Sequence, residues 1–460
     1  MWDLAVTALL LASAYIVYTG YGLLYLLAYC TVSYVAIWYL PQIFGFYPIP
    51  AADLMWFHDT AVSKIYIQSC VAFERMKYAD FLSMLTTKGP GVIPRFRLCV
   101  RTLIGKHYWK KEEDFQVEKH IVRHSGPVHT RADLFRVFES YNQRSLDFRR
   151  SPWECYFIEE FGTSESAFFF KSHHILGDGL AMVSLVVSLA DPFQDASFIT
   201  IPRHSAWKLV FCYLMAVLKG PIITYQVLTR REDKNCFHGP DLTGVKHFHC
   251  SEPWPLATLK DISKRNGVSL NTLMMSCTAG ALHKYAKARG EDVQRLTMLI
   301  PYSLRALPTD GTALPMTNNL SVLVFPIDIG EGNNEVRIQN YHRYNEALKS
   351  SYDPFANDIN QNVLCGVLPL SMWNSFVQNV NRLITFNLTN VPGPSCQLYF
   401  QGKKVTYITF AAPTSGKVGF TIGCFSYNQG MVFGCCSDDA VIKDPDYLIE
   451  LIEQEFQALK

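Results

Sequence analysis

Two adjacent histidines, an aspartate and a glycine lie close together in the stretch FKSHHILGDG at 170–179. These residue types suit proton transfer, because a neutral imidazole, with an ordinary pKa of about 6.5, can accept a proton near pH 7. The aspartate can form an ion pair or cap a following helix, and the glycine lets a bound molecule approach the backbone closely. The stretch is therefore a candidate catalytic loop around His174, with Asp178 and Gly179 shaping it. The alternative is an ordinary polar loop.

The sequence on either side predicts the elements that hold this loop. Before it, SAFFF at 166–170 is aromatic and typical of a buried strand. After it, the segment 180–190 places apolar residues at helical spacing: Leu180, Val183, Val186 and Val187. The loop is thus predicted to be the turn from a strand into a helix, and rigid elements at both ends suit a site that must keep its geometry.

Length and composition narrow the class of protein. At 460 residues the chain exceeds what one ordinary hydrophobic core supports, which predicts two domains plus attachments. A formal net charge of +2 gives no general affinity for nucleic acid, so no nucleic-acid partner is expected. The 13 cysteines are scattered without a C-x-x-C pair. This pattern favours reduced thiols on a cytosol-facing domain over disulfides or a zinc site, and no metal site is expected.

The N-terminal region carries no formally charged side chain between Asp3 and Asp53. A helix over 5–40 would be about 54 Å long at about 1.5 Å per residue, against a bilayer core of about 30 Å. We therefore expect a transmembrane anchor over 1–47, either as two short helices that turn at YTGYG (18–22) or as one long tilted span with an interfacial helix. A cleaved signal peptide is disfavoured because no basic segment precedes the apolar run. A buried soluble helix is the remaining alternative.

The rest of the chain divides into three predicted parts. Alternating strand-like and helical segments indicate a first α/β domain over 48–190 and a second over 246–460. Helices are predicted in the second domain at 256–266 and 270–289. The segment 191–245 connects the two domains.

The connection contains an apolar stretch at 206–228 that Lys219, Gly220 and Pro221 interrupt. Its uninterrupted apolar run of about ten residues is too short to span a bilayer. We expect either an interfacial helix or a helix that packs between the domains.

Several stretches of the sequence resemble known protein families. HHILGDG resembles the H-H-x-x-x-D-G signature of the CoA-dependent acyltransferase superfamily, which includes chloramphenicol acetyltransferase and peptide-synthetase condensation domains. An ordered series of further stretches resembles the wax ester synthase/diacylglycerol acyltransferase family: PRFR (94–97), SLDFRRSPWE (145–154), SLNTLMMSCTAGAL (269–282), IPYSLR (300–305), NNLSVLVFPI (318–327), PLSMW (369–373) and TNVPGP (389–394). The resemblance covers about residues 50 to 460, and the N-terminal segment looks like the family's membrane-bound eukaryotic branch.

The resemblance implies an α/β fold of two chloramphenicol-acetyltransferase-like domains with a tunnel between them, in addition to the N-terminal transmembrane anchor. It implies transfer of a fatty acyl group from acyl-CoA to a long-chain alcohol, to diacylglycerol, or to both, with acyl-CoA as co-substrate and no other cofactor. It also implies an integral membrane protein at the endoplasmic reticulum, with the catalytic domain facing the cytosol.

The same resemblance gives roles to the residues of the loop. His174 is expected to be the general base that takes the proton of the attacking hydroxyl. His173 is expected to be structural, and Asp178 to turn away from the substrate and hold the loop by an ion pair. Gly179 is expected to let the thioester arm pass close to the backbone.

Three further residues are carried over as substrate-binding candidates: Trp153, Asn271 and Asn390. Asn271 is a candidate for contact with the acyl group or the oxyanion, and a helix N-cap for 272–289 is its alternative role. Asn390 is expected to line the tunnel, with a purely structural turn as the alternative. Trp153 is expected to form apolar tunnel walls together with SVLVFP and PLSMW.

The sequence departs from the family pattern at two of these places. The family's Pro-Leu-Trp is Ser151-Pro152-Trp153 here, and its Asn-Asp pair is Asn271-Thr272. Both departures concern substrate choice. Two other functions stay open: a catalytically inactive lipid-binding or scaffold protein of the same fold, and a peptide-synthetase condensation domain, which the membrane anchor disfavours.

Overall fold

The computed structural model describes residues 39–103, 106–192, 206–305 and 314–460, together with a few isolated helical positions before residue 39. The uncharged run at 5–40 therefore lies almost entirely outside the described residues. The transmembrane anchor, with one span or two, stays a prediction.

The first domain is built on a six-stranded sheet. In spatial order its strands are β13 (Tyr399–Phe400), β14 (Lys403–Ala411), β2 (Tyr66–Glu74), β7 (Glu165–His173), β6 (Trp153–Phe161) and β5 (Ile121–Arg123). The helices of this domain are α1 (Leu40–Ile43), α2 (Ala51–Leu54), α3 (Tyr78–Thr87), α4 (Arg131–Asn142) and α5 (Gly179–Leu189). A small sheet beside it contains β1 (Phe46–Pro48), β4 (Lys106–Lys111) and β3 (Leu98–Leu103).

The second domain is built on a seven-stranded sheet. Its main path is β11 (Leu320–Asp328), β10 (Arg295–Ser303), β12 (Phe386–Pro392), β15 (Phe420–Tyr427), β16 (Gly430–Asp438) and β8 (Lys246–Cys250), and β9 (Trp254–Pro255) pairs with β16. After α6 (Ala206–Leu228), its helices are α7 (Leu256–Arg265), α8 (Leu270–Ala288), α9 (Asn334–Ser350), α10 (Asp353–Val367), α11 (Leu370–Asn381) and α12 (Pro445–Gln457). The predicted helices at 256–266 and 270–289 are confirmed to within one residue.

The two α/β domains share strands and core. β14 lies far along the chain, yet it pairs antiparallel with β2 and so completes the first sheet. One hydrophobic cluster takes Phe138 and Phe169 from the first domain and Phe248 and Val432 from the second. The strands of the first sheet precede residue 246 and those of the second follow residue 245, except for the crossing pair β13–β14. The predicted domain bounds stay a prediction.

The strand-turn-helix predicted around the histidines is confirmed. β7 ends at His173, a single 3₁₀ turn covers His174–Leu176, and α5 begins at Gly179. β7 is buried at eight of its nine positions, which explains its run of three phenylalanines. A strand buried on both faces reads as a continuous apolar segment rather than an alternating one.

The apolar stretch of the connection forms one continuous helix, α6, through Pro221. Its partner is α10, which it contacts on both sides of the proline: Tyr213 Oη donates to Asp358 Oδ2 at 3.0 Å, and Asn360 Nδ2 donates to Thr224 Oγ1 at 2.7 Å. Lys219, Gly220 and Pro221 interrupt the apolar sequence but not the helix, because packing before and after Pro221 holds both segments in one line.

The opposite face of α6 is apolar and exposed. Trp207 is 84% exposed, and the other exposed large apolar residues of the helix follow at helical spacing: Val210, Phe211, Leu214, Val217, Leu218, Ile222, Tyr225 and Leu228. Among the described residues, Trp207–Leu228 is the one helix whose length and hydropathy would suffice to cross a membrane.

Candidate active site

His174 lies at the start of the 3₁₀ turn, where it faces a cavity between the two domains. Its backbone N–H donates to the carbonyl of Ile65 at 2.8 Å, and its Nδ1 lies 2.8 Å from Oδ1 of Asn318. The Trp56 indole stacks on the imidazole, with 3.9 Å between ring centroids and 17° between ring planes. One side chain from each domain thus fixes the orientation of the ring.

Burial keeps His174 neutral. Loss of solvent lowers the pKa of His174 to about 4, although the nearby carboxylate of Asp178 acts in the opposite direction. A group with this pKa is unprotonated at pH 7, which is the form that accepts a proton.

His173 points to the other side of the strand and is fully buried. Its Nδ1 accepts the backbone N–H of Ile175 at 3.1 Å, and its Nε2 lies 3.2 Å from Oδ1 of Asp59. Because both ring nitrogens are engaged and neither faces the cavity, the structure gives His173 a supporting position beside His174.

Asp178 makes both contacts considered from the sequence. Its Oδ1 accepts the N–H of Ala181 at 3.0 Å and so caps α5, while its Oδ2 accepts from Nε of Arg305 at 3.0 Å. Oδ2 also accepts the backbone N–H of Asn319 at 2.9 Å. Asp178 borders the cavity, but its carboxylate is occupied by these donors, so it holds the loop against the second domain.

The cavity has a volume of about 280 Å³ and is mainly apolar. Its aliphatic and aromatic walls come from both domains and include Met55, Ile67, Leu299, Leu320, Val322, Trp373, Phe376, Val377, Ile384 and Phe410. Gly179 lies in the wall beside His174, and a Cβ added there would meet Cγ2 of Val391 at 3.4 Å. The cavity suits an alkyl chain that ends near the imidazole.

The two asparagines of the second domain occupy different positions. Asn390 borders the cavity, and its Nδ2 donates to Oδ1 of Asn271 at 2.7 Å. Asn271 is exposed, lies outside the cavity wall and contacts it through this bond to Asn390, so its contact with the acyl group or the oxyanion stays a prediction. Its alternative role as the N-cap of a helix over 272–289 is wrong, because α8 begins at Leu270 and its N-cap is Ser269, whose Oγ accepts the N–H of Thr272 at 3.2 Å.

Trp153 lies in the hydrophobic core and not in the cavity wall. Its Nε1 donates to the carbonyl of Phe96 at 2.9 Å, and its ring stacks on His120 with a centroid distance of 4.4 Å. The expectation that Trp153 lines the tunnel is therefore corrected: the strand pairing of β6 turns this ring into the core of the first domain. The tryptophans that border the cavity are Trp56 and Trp373, the latter from the predicted PLSMW wall.

Sequence reasoning missed four residues that hold the loop: Asp53, Trp56, Arg305 and Asn318. A signal for three of them was present. Arg305 ends IPYSLR, Asn318 begins NNLSVLVFPI, and Asp53 is the first charged residue after the uncharged run. A polar residue at the edge of such a segment indicates a contact, but the sequence does not show with which partner.

Comparison with known proteins shows matches to two domain models of one family and to relatives of the same kind. Residues 74–207 match the family model described as the wax ester synthase/diacylglycerol acyltransferase catalytic domain, and residues 316–460 match the WS/DGAT C-terminal domain. The chain is 24% identical over 380 residues to the probable diacyglycerol O-acyltransferase tgs1 of Mycobacterium tuberculosis, covering 76% of this chain and 80% of the relative. It is 21% identical over 382 residues to the O-acyltransferase WSD of Acinetobacter baylyi, covering 76% and 82%.

Solved structures show the same fold. The wax ester synthase/diacylglycerol acyltransferase from Marinobacter aquaeolei superposes with a TM-score of 0.64 at 18% identity, over 90% of this chain and 98% of that one. The starter condensation domain of rhizomide synthetase superposes with a TM-score of 0.61 at 13% identity, over 91% and 95%.

The Asp178–Arg305 pair generates a prediction about stability. Asp178→Ala is expected to lower the free energy of unfolding by about 3–5 kcal/mol, because it leaves the guanidinium of Arg305 buried without its partner. Asn333→Ala, which removes the exposed cap of α9, is the matched control and is expected to cost about 1 kcal/mol. Denaturant titration of both variants checks this; equal small losses would contradict a buried ion pair that holds the loop.

Proposed function

The chain belongs to the wax ester synthase/diacylglycerol acyltransferase family, and from this premise we propose that it transfers a fatty acyl group from acyl-CoA to the hydroxyl of a long-chain alcohol or of diacylglycerol. The observation that carries the proposal is a neutral, buried His174 at the wall of an apolar cavity between two domains.

The proposed reaction needs one general base to accept the proton of the acceptor hydroxyl. The hydroxyl oxygen attacks the carbonyl carbon of the thioester while its proton passes to the imidazole of His174. The tetrahedral intermediate then collapses, the carbon–sulfur bond breaks, and the proton passes to the departing sulfur of CoA. Asp178 and His173 hold the loop during these steps, and the lack of a side chain at Gly179, in the cavity wall, leaves room for the thioester arm.

The cavity favours a lipid acceptor. Its walls offer apolar side chains from β10, β11 and α11 and few polar atoms. Burial of each methylene contributes about 0.8 kcal/mol, so the chain of a fatty alcohol or of diacylglycerol gains binding energy that a short alcohol lacks.

A second candidate function is lipid binding without catalysis, in which the two histidines serve only as structure. The different positions of the two rings favour catalysis. His173 is packed and bonded on both nitrogens, whereas His174 faces the cavity. A purely structural pair would not require the second imidazole at a cavity wall.

We further propose that this is an integral membrane protein of the endoplasmic reticulum whose catalytic domains face the cytosol and lie on the lipid surface. The exposed apolar face of α6 supports contact with lipid. α6 packs on α10, and α10 packs on α2, the helix that follows the uncharged N-terminal segment, so one helix contacts both α6 and the region where that segment ends. The described cysteines are free thiols, which agrees with a reducing compartment.

The proposed reaction predicts a preference among acceptors. With labelled acyl-CoA, hexadecanol and diacylglycerol are expected to form ester far faster than butanol at matched accessible concentrations. Hexadecanol has about twelve more methylenes than butanol, and burial of only about five of them contributes about 4 kcal/mol, or roughly 10³-fold in kcat/KM. Resolution of the lipid products checks this, and equal rates for butanol and hexadecanol would argue against a lipid acceptor.

His174→Ala is expected to lower turnover by roughly 10²–10⁴-fold, the range that a positioned base supplies. His129→Ala, a change at an exposed histidine, is the control and should leave turnover unchanged. In the wild type, kcat/KM should be flat near neutral pH and fall as the pH drops toward about 4, where His174 becomes protonated. A folded His174→Ala protein with near wild-type turnover would favour the non-catalytic alternative.

Membrane attachment can be separated into two contributions. Deletion of residues 1–45 is expected to convert a carbonate-resistant membrane protein into one that carbonate releases but that still binds vesicles through α6. In the truncated protein, serine at Trp207, Leu214 and Leu218 should abolish vesicle flotation, because these substitutions remove the exposed apolar face.

The matched control carries serine at three exposed apolar residues of other elements: Val92, Val336 and Tyr399. Flotation equal to that of the triple α6 variant would show that the face of α6 is not specific. A truncated protein that still resists carbonate would point to a second span, with 206–228 as its candidate.

A further inference from the structure

Asn318 bridges the two domains at the catalytic loop. It lies two residues before β11, is 5% exposed, and its side chain reaches His174 across 144 residues of sequence. Asn318 Nδ2 donates to the carbonyl oxygen of His174 at 2.8 Å. The amide therefore forms hydrogen bonds with both the backbone and the ring of His174.

The partners of Asn318 fix which way its amide faces. Nδ2 also donates to Oδ1 of Asp53 at 2.9 Å. A carboxylate and a carbonyl oxygen can only accept hydrogen bonds, so the NH₂ group must point to Asp53 and to the His174 backbone. Oδ1 of Asn318 is therefore the atom that faces the imidazole, and a hydrogen bond at 2.8 Å then requires Nδ1 of His174 to carry the proton.

Asp53 holds Asn318 in this orientation. The carboxylate is 1% exposed and also accepts the backbone N–H of Asn318 at 2.8 Å. Asp53 forms an ion pair with Arg95, whose Nη2 donates in addition to the carbonyl of Ile175 at 3.0 Å. The Arg95 guanidinium lies over the ring of Trp109 at 4.3 Å. A buried carboxylate is stable only with such partners. The Asp53 side chain therefore cannot rotate without breaking its bonds to Arg95 and Asn318 at the same time.

We propose that Asn318, held by Asp53 and Arg95, is the positioning residue that sets the Nδ1–H tautomer of His174 and so presents Nε2 to the attacking hydroxyl. Neither Asn318 nor Asp53 is given a contact with substrate; both act through the histidine. In catalytic triads a third group does the same work, and a wrong tautomer there leaves the geometry intact but removes most of the activity.

A neutral amide in this place has a further consequence. It orients the ring without adding a negative charge, so the imidazole stays neutral in its buried site. The other titratable groups around the ring are Asp178 and His173 on the same loop and His58 in the same cavity wall, with Asp53 beyond the amide. A carboxylate at position 318 would add a charge directly beside Nδ1 and favour the imidazolium.

The inference rests on the proposed acyl transfer, and the experiment therefore has one readout that does not use activity. The full-length protein, with ¹⁵N-labelled histidine, is compared by nitrogen NMR at neutral pH, and the His174 signals are assigned by their loss in His174→Ala. The wild type should show a protonated Nδ1 and an unprotonated Nε2. Asn318→Leu should lose this single-tautomer pattern.

The kinetic readout uses the same variants. Asn318→Leu is expected to lower kcat by about 10²-fold, with KM for acyl-CoA changed by less than about threefold, because the ring loses its orientation and not its pocket. Asn345→Leu is the matched control: it also removes a buried asparagine with two hydrogen bonds, to Ser269 and Thr272, and should alter neither kcat nor the His174 signals.

A reciprocal exchange tests the roles of the two groups. Asp53→Asn with Asn318→Asp keeps an amide and a carboxylate in contact but places the carboxylate on the histidine. The double variant should recover part of the kcat lost in Asn318→Leu, and the acid limb of its kcat/KM profile should move to higher pH. An unshifted acid limb would contradict the proposed contact.

Retention of the Nδ1–H tautomer in Asn318→Leu, with kcat within about threefold of the wild type, would overturn the inference. If the wild type forms no ester but the variant still loses the tautomer, the positioning role stands and the proposed function fails. The two failures are thus distinguishable.

Discussion

The burial of two carboxylates where the two domains meet is the constraint on which the rest of the structure depends. Asp53 and Asp178 accept the backbone N–H groups of the consecutive residues Asn318 and Asn319, and each is 3% exposed or less. A buried charge without a partner costs several kcal/mol. Each carboxylate finds donors in the second domain, Asp53 at Asn318 and Asp178 at Arg305 and Asn319. The same set of bonds therefore joins the two domains beside the cavity and orients His174.

The same burial serves both halves of the proposed chemistry. Exclusion of water from the cavity lowers the pKa of His174, which keeps the imidazole able to accept a proton, and it provides the apolar walls that accept alkyl chains. A more polar cavity would lose the second property, and a carboxylate bonded to the imidazole would raise the pKa. The amide of Asn318 orients the His174 ring and leaves it neutral, which suits a general base in an apolar cavity.

The local part of this arrangement was predictable from sequence, and the long-range part was not. The strand, turn and helix around His174 follow from an aromatic run, a short polar loop and apolar residues at helical spacing. The partners do not, because Asn318 and Asp53 are 265 residues apart and no periodicity records which polar groups meet.

Trp153 shows a second limit. A motif predicts that the residue lies on a strand, but the pairing of that strand decides whether its side chain faces the core or the cavity. α6 shows a third limit: the sequence predicted a helix but not its partner, because a local pattern does not reveal the contacts with α10 on both sides of Pro221.

The claim that His174 moves the proton of the acceptor is central, and the acidity of the acceptor tests it most directly. Turnover of the wild type and of His174→Ala would be measured with hexadecanol and with 2,2-difluorohexadecanol, which has the same chain length but a more acidic hydroxyl. A general base assists less when the proton leaves more easily, so the ratio of wild-type to variant turnover should be clearly smaller for the fluorinated alcohol. An identical ratio for the two alcohols would contradict the account, because His174 would then shape the site without accepting the proton.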